Sequence, residues 1–197
     1  AAAGTVCRER QRLTLESLTG SLLTGASGEV LQVLDVLARR HSLVGAGVPS
    51  PERSLRVFER ALVDSLGDDE GAGSVAYNLK ALMNCAQALR ERLSPEHWKL
   101  IHEVGERFKQ HLEAVTQTGA AEPLSDVLGV LSRAATHLAA ITGAQTDRMT
   151  RDDGWRLLSV GRQVERLNFL ASALTLGLER GLHERDDGFV LLLGLFD

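Results

Sequence analysis

Met149-Thr150-Arg151-Asp152-Asp153-Gly154-Trp155-Arg156-Leu157-Leu158 leads into Ser159-Val160-Gly161-Arg162-Gln163-Val164-Glu165-Arg166-Leu167-Asn168, and an apolar run follows from Phe169. The spacing of this stretch predicts one long helix reaching Leu178. Thr150 is placed to cap it, with Asp153 three residues on as in a capping box. Acidic residues in the first turn suit the positive end of the helix dipole. Leu157, Val160, Val164, Leu167 and Ala171 recur at helical spacing and read as the core stripe. A second stripe runs Trp155, Leu158, Arg162, Glu165, Phe169, with two charges set among large apolar residues. Arg162 and Glu165 stand three apart and can pair, and Arg166 lies one turn from Arg162. If this stripe faces inward, its charges need partners, because burying an unpaired charge is costly. If it faces outward, it is a solvated pair of little energetic weight. The pattern leaves both readings open.

Working outward, the breaks between periodic segments are short and no segment alternates like a half-buried strand. Ser50-Pro51-Glu52 and Ser94-Pro95-Glu96 each pair a capping residue with proline at the first helical position. Helices are predicted from Thr5 to Leu23, from Gly28 (capped by Ser27) to about His41, and from Pro51 to about Leu66. Others run over 74–93, from Pro95 through Trp98, Ile101, Val104, Phe108 and Leu112, and over 124–141. A last one starts near Asp186. Gly67 to Gly73, Thr118 to Pro123 and Gly143 to Thr146 read as turns or loops. Short helix-to-helix links favour antiparallel neighbours. The fold class is therefore all-α, a bundle of about seven or eight mostly antiparallel helices.

The 197 residues suffice for one domain with a real core. Lysine and arginine total 22 against 26 aspartate and glutamate, a net charge of −4, which argues against a nucleic-acid surface. Mean hydropathy of −0.05 suits a globular chain. No apolar run approaches a membrane span, and no basic-then-apolar leader opens the sequence. No nucleic-acid or membrane partner is expected. Cys7 and Cys85 make a poor disulfide framework, so reduced thiols and a cytoplasmic location are expected, with Cys85 packed in a helix face. The absence of an initial Met and the apolar end Phe189 to Phe196 read as a fragment truncated at both ends of a longer protein.

Chemistry with a clear signature is sparse. No Glu is followed three residues later by His, as a di-iron bundle requires. Gly45-x-Gly47 and Gly71-x-Gly73 lack the rest of a phosphate loop, and no Gly-x-Ser-x-Gly elbow occurs. His97 to His111 reads as a solvated face, and His137 as a satisfied histidine near a core stripe. No metal or cofactor is expected to be held by this chain. The candidate site is a polar cluster: Arg162, Glu165, Arg166, Trp155, Arg151 and Asp152, with Asn78, Arg90, Glu91 and Glu96 facing them. Arginine offers a planar fork for carboxylate or phosphate, so such a cluster either holds an anionic ligand or ties helices together.

Gly154-Trp155 followed by Gly161-Arg162-x-x-Glu165-Arg166 resembles the signature of the Alpha-E domain family. Ser74-Val75-Ala76-Tyr77-Asn78-Leu79, with Ala86, Arg90-Glu91, Ser94, Glu96 and Trp98, is similar to that family's middle block. The two blocks stand in the family's order, so the resemblance covers most of the chain as a single domain over residues 1–197. It also implies an earlier Trp-Leu-Gly-Arg-x-x-Glu-Arg segment upstream of this chain. Such domains are bacterial and are fused to, or encoded beside, circularly permuted ATP-grasp proteins, often near transglutaminase-like proteins. The resemblance therefore implies a non-catalytic, accessory or substrate-binding role in ATP-dependent amide or peptide bond formation. ATP and magnesium would belong to the ATP-grasp partner. The alternative is a purely structural or protein-interaction module with an Arg-Glu network and no ligand.

Overall fold

A computed structural model describes residues 28–71, 73–117 and 124–194. The expected helix from Thr5 to Leu23, Cys7, the Ser27 cap and the turn from Thr118 to Pro123 lie outside the described residues. Within them the chain is all-α: α1 (Gly28–Arg40), α2 (Pro51–Leu66), α3 (Val75–Ala88), α4 (Pro95–Gln117), α5 (Leu124–Arg148), α6 (Asp153–Glu179) and α7 (Asp186–Gly194). Two short 3-10 turns, Arg90–Arg92 and Leu182–Glu184, join α3 to α4 and α6 to α7. The described residues contain no strand. The bundle of about seven helices is the one the periodicity predicts.

Local chemistry sets most helix starts. The Ser74 hydroxyl accepts from the Tyr77 amide at 2.9 Å, and the Ser94 hydroxyl accepts from the His97 amide at 3.1 Å. Each satisfies an orphan donor of a first turn. Ser50 makes no such side-chain bond, and α2 departs from helical geometry at Ser54. Proline at its first position, with Ser50 carbonyl bonds to Arg53 and Ser54, starts that helix instead.

α4 and α5 form an antiparallel pair. Arg107 on α4 reaches the His137 ring on α5 at 3.4 Å, with both residues well away from the connecting turn. α3 packs on α4, α1 on α2, and α7 with its preceding 3-10 turn closes over α6 and α1. The core joins Leu34 and Leu37 of α1, Phe58, Leu62 and Leu66 of α2, Val104 and Phe108 of α4 and Val127 and Leu131 of α5. Burying each such side chain contributes roughly 1.5–3 kcal/mol relative to exposure.

Three sequence expectations change here. The loop expected from Gly143 to Thr146 is helix, because Ile141 and Gln145 continue the inward stripe of α5. That packing outweighs the roughly 1 kcal/mol penalty of a helical glycine. The lengthened helix contains a 23-residue stretch, Leu124–Thr146, long and apolar enough to cross a membrane by length and composition. The expectation that no stretch reaches that size is therefore corrected; its side chains Val127, Val130, Leu131, Leu138 and Ile141 are core. Cys85 is exposed rather than packed.

The largest change concerns α6. Leu157, Val160, Val164 and Leu167, expected to be core, are 73%, 59%, 58% and 66% exposed. The inward face is the other stripe: Trp155, Leu158, Arg162 and Glu165 are half-buried, and Phe169, Ala173 and Leu176 are buried. Both stripes have helical spacing, so periodicity could not decide which one the bundle would cover. α6 meets its neighbours chiefly through its C-terminal half, against α1, α7 and the second 3-10 turn.

Candidate functional site

The start of α6 is set by Asp152, not Thr150. Asp152 takes the N-cap position and its Oδ1 accepts from the Trp155 amide at 3.0 Å. An ionised carboxylate there also faces the positive end of the helix dipole. Its Oδ2 binds the Arg92 guanidinium from the 3-10 turn after α3. The Trp155 amide bond, and secondarily Arg92, hold the Asp152 carboxyl below the usual carboxylate range. This stability is present above the ordinary carboxylate pKa and is lost as pH falls through the folded-state value.

The same end of the molecule gathers both tryptophans of the chain, each under an arginine. The Arg90 guanidinium carbon lies 5.0 Å from the Trp98 ring centroid, and that of Arg151 lies 5.5 Å from the Trp155 centroid. Cation–π stacking of this kind fixes the plane of each guanidinium. Arg90 Nη1 is further held by the Leu93 carbonyl at 3.2 Å. Arg156 adds a fourth cation at the first turn of α6, near Asp153 at 3.4 Å. The Trp98 ring also stacks on His102, with centroids 6.5 Å apart and 8° between planes.

His102 is where this pole meets a concavity of the described chain. A groove of about 750 Å³ runs between α2, α3 and α4. Its floor is apolar, with Leu79, Met83, Ile101 and Phe108, while Lys80 and Glu106 stand among its polar lining. Lys80 pairs with Asp69 at 2.7 Å across the turn before α3. That ion pair lowers the Asp69 carboxyl and raises the Lys80 amine. None of the ten residues of the expected polar cluster lines this groove. The stack Arg90–Trp98–His102 nevertheless connects its upper end to the arginine-rich pole.

The structure thus brings together only part of the expected cluster. Arg90, Arg151, Asp152 and Trp155 share the pole. Arg162 lies two turns further down α6, where it donates to Oε1 of the buried Gln145 on α5. Among the described residues no ion pair joins Glu165 to Arg162 or Arg166. Glu165 is half-buried, and Arg166, Glu91 and Glu96 are exposed. Asn78 is buried near the far end of α3, its Nδ2 donating to the Ser74 carbonyl at 2.7 Å.

Sequence reading missed Arg92, Gln145 and the state of His97. Arg92 follows Arg90 by two residues, but nothing local marks it as the partner of a residue 60 positions away. Gln145 falls in the stretch expected as a loop, where nothing local marks it as a buried partner. His97, expected on a solvated face, is 2% exposed, its Nε2 lacks a hydrogen-bond partner, and burial pushes its pKa down. Among the described residues no group of three or more His, Cys, Asp and Glu converges as metal ligands would.

The family described as a predicted alpha-helical domain with a conserved ER motif, Alpha-E, matches residues 7–197. An uncharacterized protein of Mycobacterium tuberculosis, Rv2567, is 27% identical over 120 residues, covering 59% of this chain and 13% of its own length. An uncharacterized protein of Mycobacterium bovis, Mb2597, is 26% identical over 120 residues, with the same coverage of both chains. This chain therefore aligns with a small part of much longer relatives. No solved structure matches it. Glu165-Arg166 is the Glu-Arg pair that follows Gly161-Arg162 on α6, and with nearly the whole chain matched, this protein belongs to the Alpha-E family.

Proposed function

We propose that this chain is an accessory, substrate-handling module of a bacterial, cytoplasmic, ATP-grasp-linked system that forms amide or peptide bonds. The observation that carries the reading is the apolar groove ending at His102, beneath the stack of Trp98 and Arg90. An elongated ligand with a carboxylate or phosphate head suits it: apolar body on the floor, anionic head at the arginines. Carboxylates and acyl phosphates are what ATP-grasp chemistry consumes and makes, and an arginine fork recognises both. Chemistry stays with the partner. ATP and magnesium belong to the ATP-grasp domain, in the same or a neighbouring chain. A transglutaminase-like protein is a further partner on this reading.

The test is the Arg90→Ala/Arg151→Ala double variant in the intact ATP-grasp system, followed by ATP-dependent ligation and by thermal melting. Ligation is expected to fall at least about tenfold, corresponding to roughly 1.4 kcal/mol of lost binding, with the melting temperature little changed. Unchanged turnover in a folded variant removes the substrate-handling role. A second reading, a structural module without its own ligand, is supported by the Arg162–Gln145 and Arg92–Asp152 ties between elements. It predicts that the double variant ligates normally.

A further inference from the structure

The outward face of α6 carries Leu157, Val160, Val164, Leu167, Ala171, Leu174 and Leu178. Their spacing is three, four, three, four, three, four. This is an unbroken a/d seam of 3.5-residue period over three heptads, which specifies a helix partner rather than a flat core. All seven residues are exposed, and the face lies opposite the buried Phe169, Ala173 and Leu176. A soluble surface rarely leaves so long a continuous apolar stripe open without a partner.

We propose that this seam pairs with the same seam of a second copy, as an antiparallel two-helix coiled coil about a two-fold axis. Three observations select that occupant. First, the positions flanking the seam bear almost no charge: Gly161, Asn168 and Thr175 on one side, Gln163 and Leu170 on the other, with only Arg156 charged near its start. Charged flanks are what exclude identical partners in coiled coils, and their absence leaves self-pairing unopposed. Second, covering the seam removes on the order of 600 Å² per copy, about 1,200 Å² for the pair, the lower edge of specific interfaces. Third, the antiparallel register places Leu157 opposite Leu174, Val160 opposite Ala171 and Val164 opposite Leu167. Small Ala171 then meets a side chain instead of a second alanine, and the two helix dipoles oppose each other. A parallel pair leaves a void at Ala171 and sets two arginine-rich poles side by side.

The face is self-complementary, so the interface is isologous and closes at two copies. The groove and the Arg90–Trp98 stack involve α2, α3 and α4, so dimerisation leaves them open.

The test is light scattering of the full chain across about 1 to about 100 µM, beside Val164→Asp and Leu157→Glu. The intact chain is expected to reach the mass of two 21.3 kDa chains, and both variants the mass of one, with helicity by circular dichroism unchanged. Two variants at separate exposed positions guard against one misfolding. In a Cys7→Ser/Cys85→Ser background, Val164→Cys/Leu167→Cys is expected to form a disulfide-linked dimer under mild oxidation. An intact chain that stays monomeric throughout overturns the proposal, whether the stripe is covered by another part of its own polypeptide or by a different protein. A dimer untouched by both seam variants overturns it as well.

Discussion

At the scale of single residues, His97 shows how little of a side chain's fate its neighbours in sequence reveal. It lies in the first turn of a helix between Glu96 and Trp98, where an exposed histidine is the ordinary expectation. The structure buries it to 2% exposure with Nε2 unpartnered, and desolvation favours its neutral form. The folded state therefore binds its proton more weakly than the unfolded chain, whose histidine titrates at about 6.5. Above that pH the stability is fully present. As pH falls below about 6.5 the unfolded chain takes up the proton first, and stability drops until the folded-state pKa is passed. Thermal melts from about pH 8 down to about pH 5 are expected to show this loss, and His97→Gln to show a flatter profile over that range. Identical profiles would remove His97 as the group responsible.

Among the elements, the junction of α6 and α7 depends on missing side chains. A Cβ at Gly188 would come within 2.5 Å of the Leu182 carbonyl and 2.9 Å of its Cα, both backbone atoms of the preceding 3-10 turn. Backbone cannot move aside as a flexible side chain can. Gly188→Ala is expected to destabilise by about 1–3 kcal/mol, the usual cost of overpacking, read from denaturant midpoints. Gly194, on the same helix with nothing within 4 Å of its virtual Cβ, serves as control: Gly194→Ala should change stability by well under about 1 kcal/mol. The helix starts were legible because serine and proline act through local bonds. Which stripe of α6 faces inward was not, because two stripes of equal periodicity compete and only the arrangement of neighbouring helices chooses between them.

Over the whole molecule, Arg162 ties the motif helix to the rest of the bundle. Its guanidinium binds the buried Gln145 of α5, along a helix that otherwise packs mainly through its C-terminal half. Arg162→Ala leaves the Gln145 amide buried without that partner. The expected loss is about 1–3 kcal/mol, measured by urea unfolding, with hydrogen exchange rising in the N-terminal half of α6. Arg162→Lys keeps the charge without the planar fork, so its stability should fall between the two.

The sequence by itself determined most of the described helices and the family. Short links, proline starts and helical periodicity follow from local sterics and hydrogen bonding, which act within a few residues. The Gly-Arg and Glu-Arg spacing on α6 was equally readable. Only the tertiary structure decided where the polar residues meet. It separated Asn78 from Arg90, gave Arg162 a glutamine instead of Glu165, and joined Arg92 to Asp152. It also turned the heptad stripe outward. These outcomes rest on which helices neighbour one another, and packing between segments distant in sequence is a property no local pattern carries.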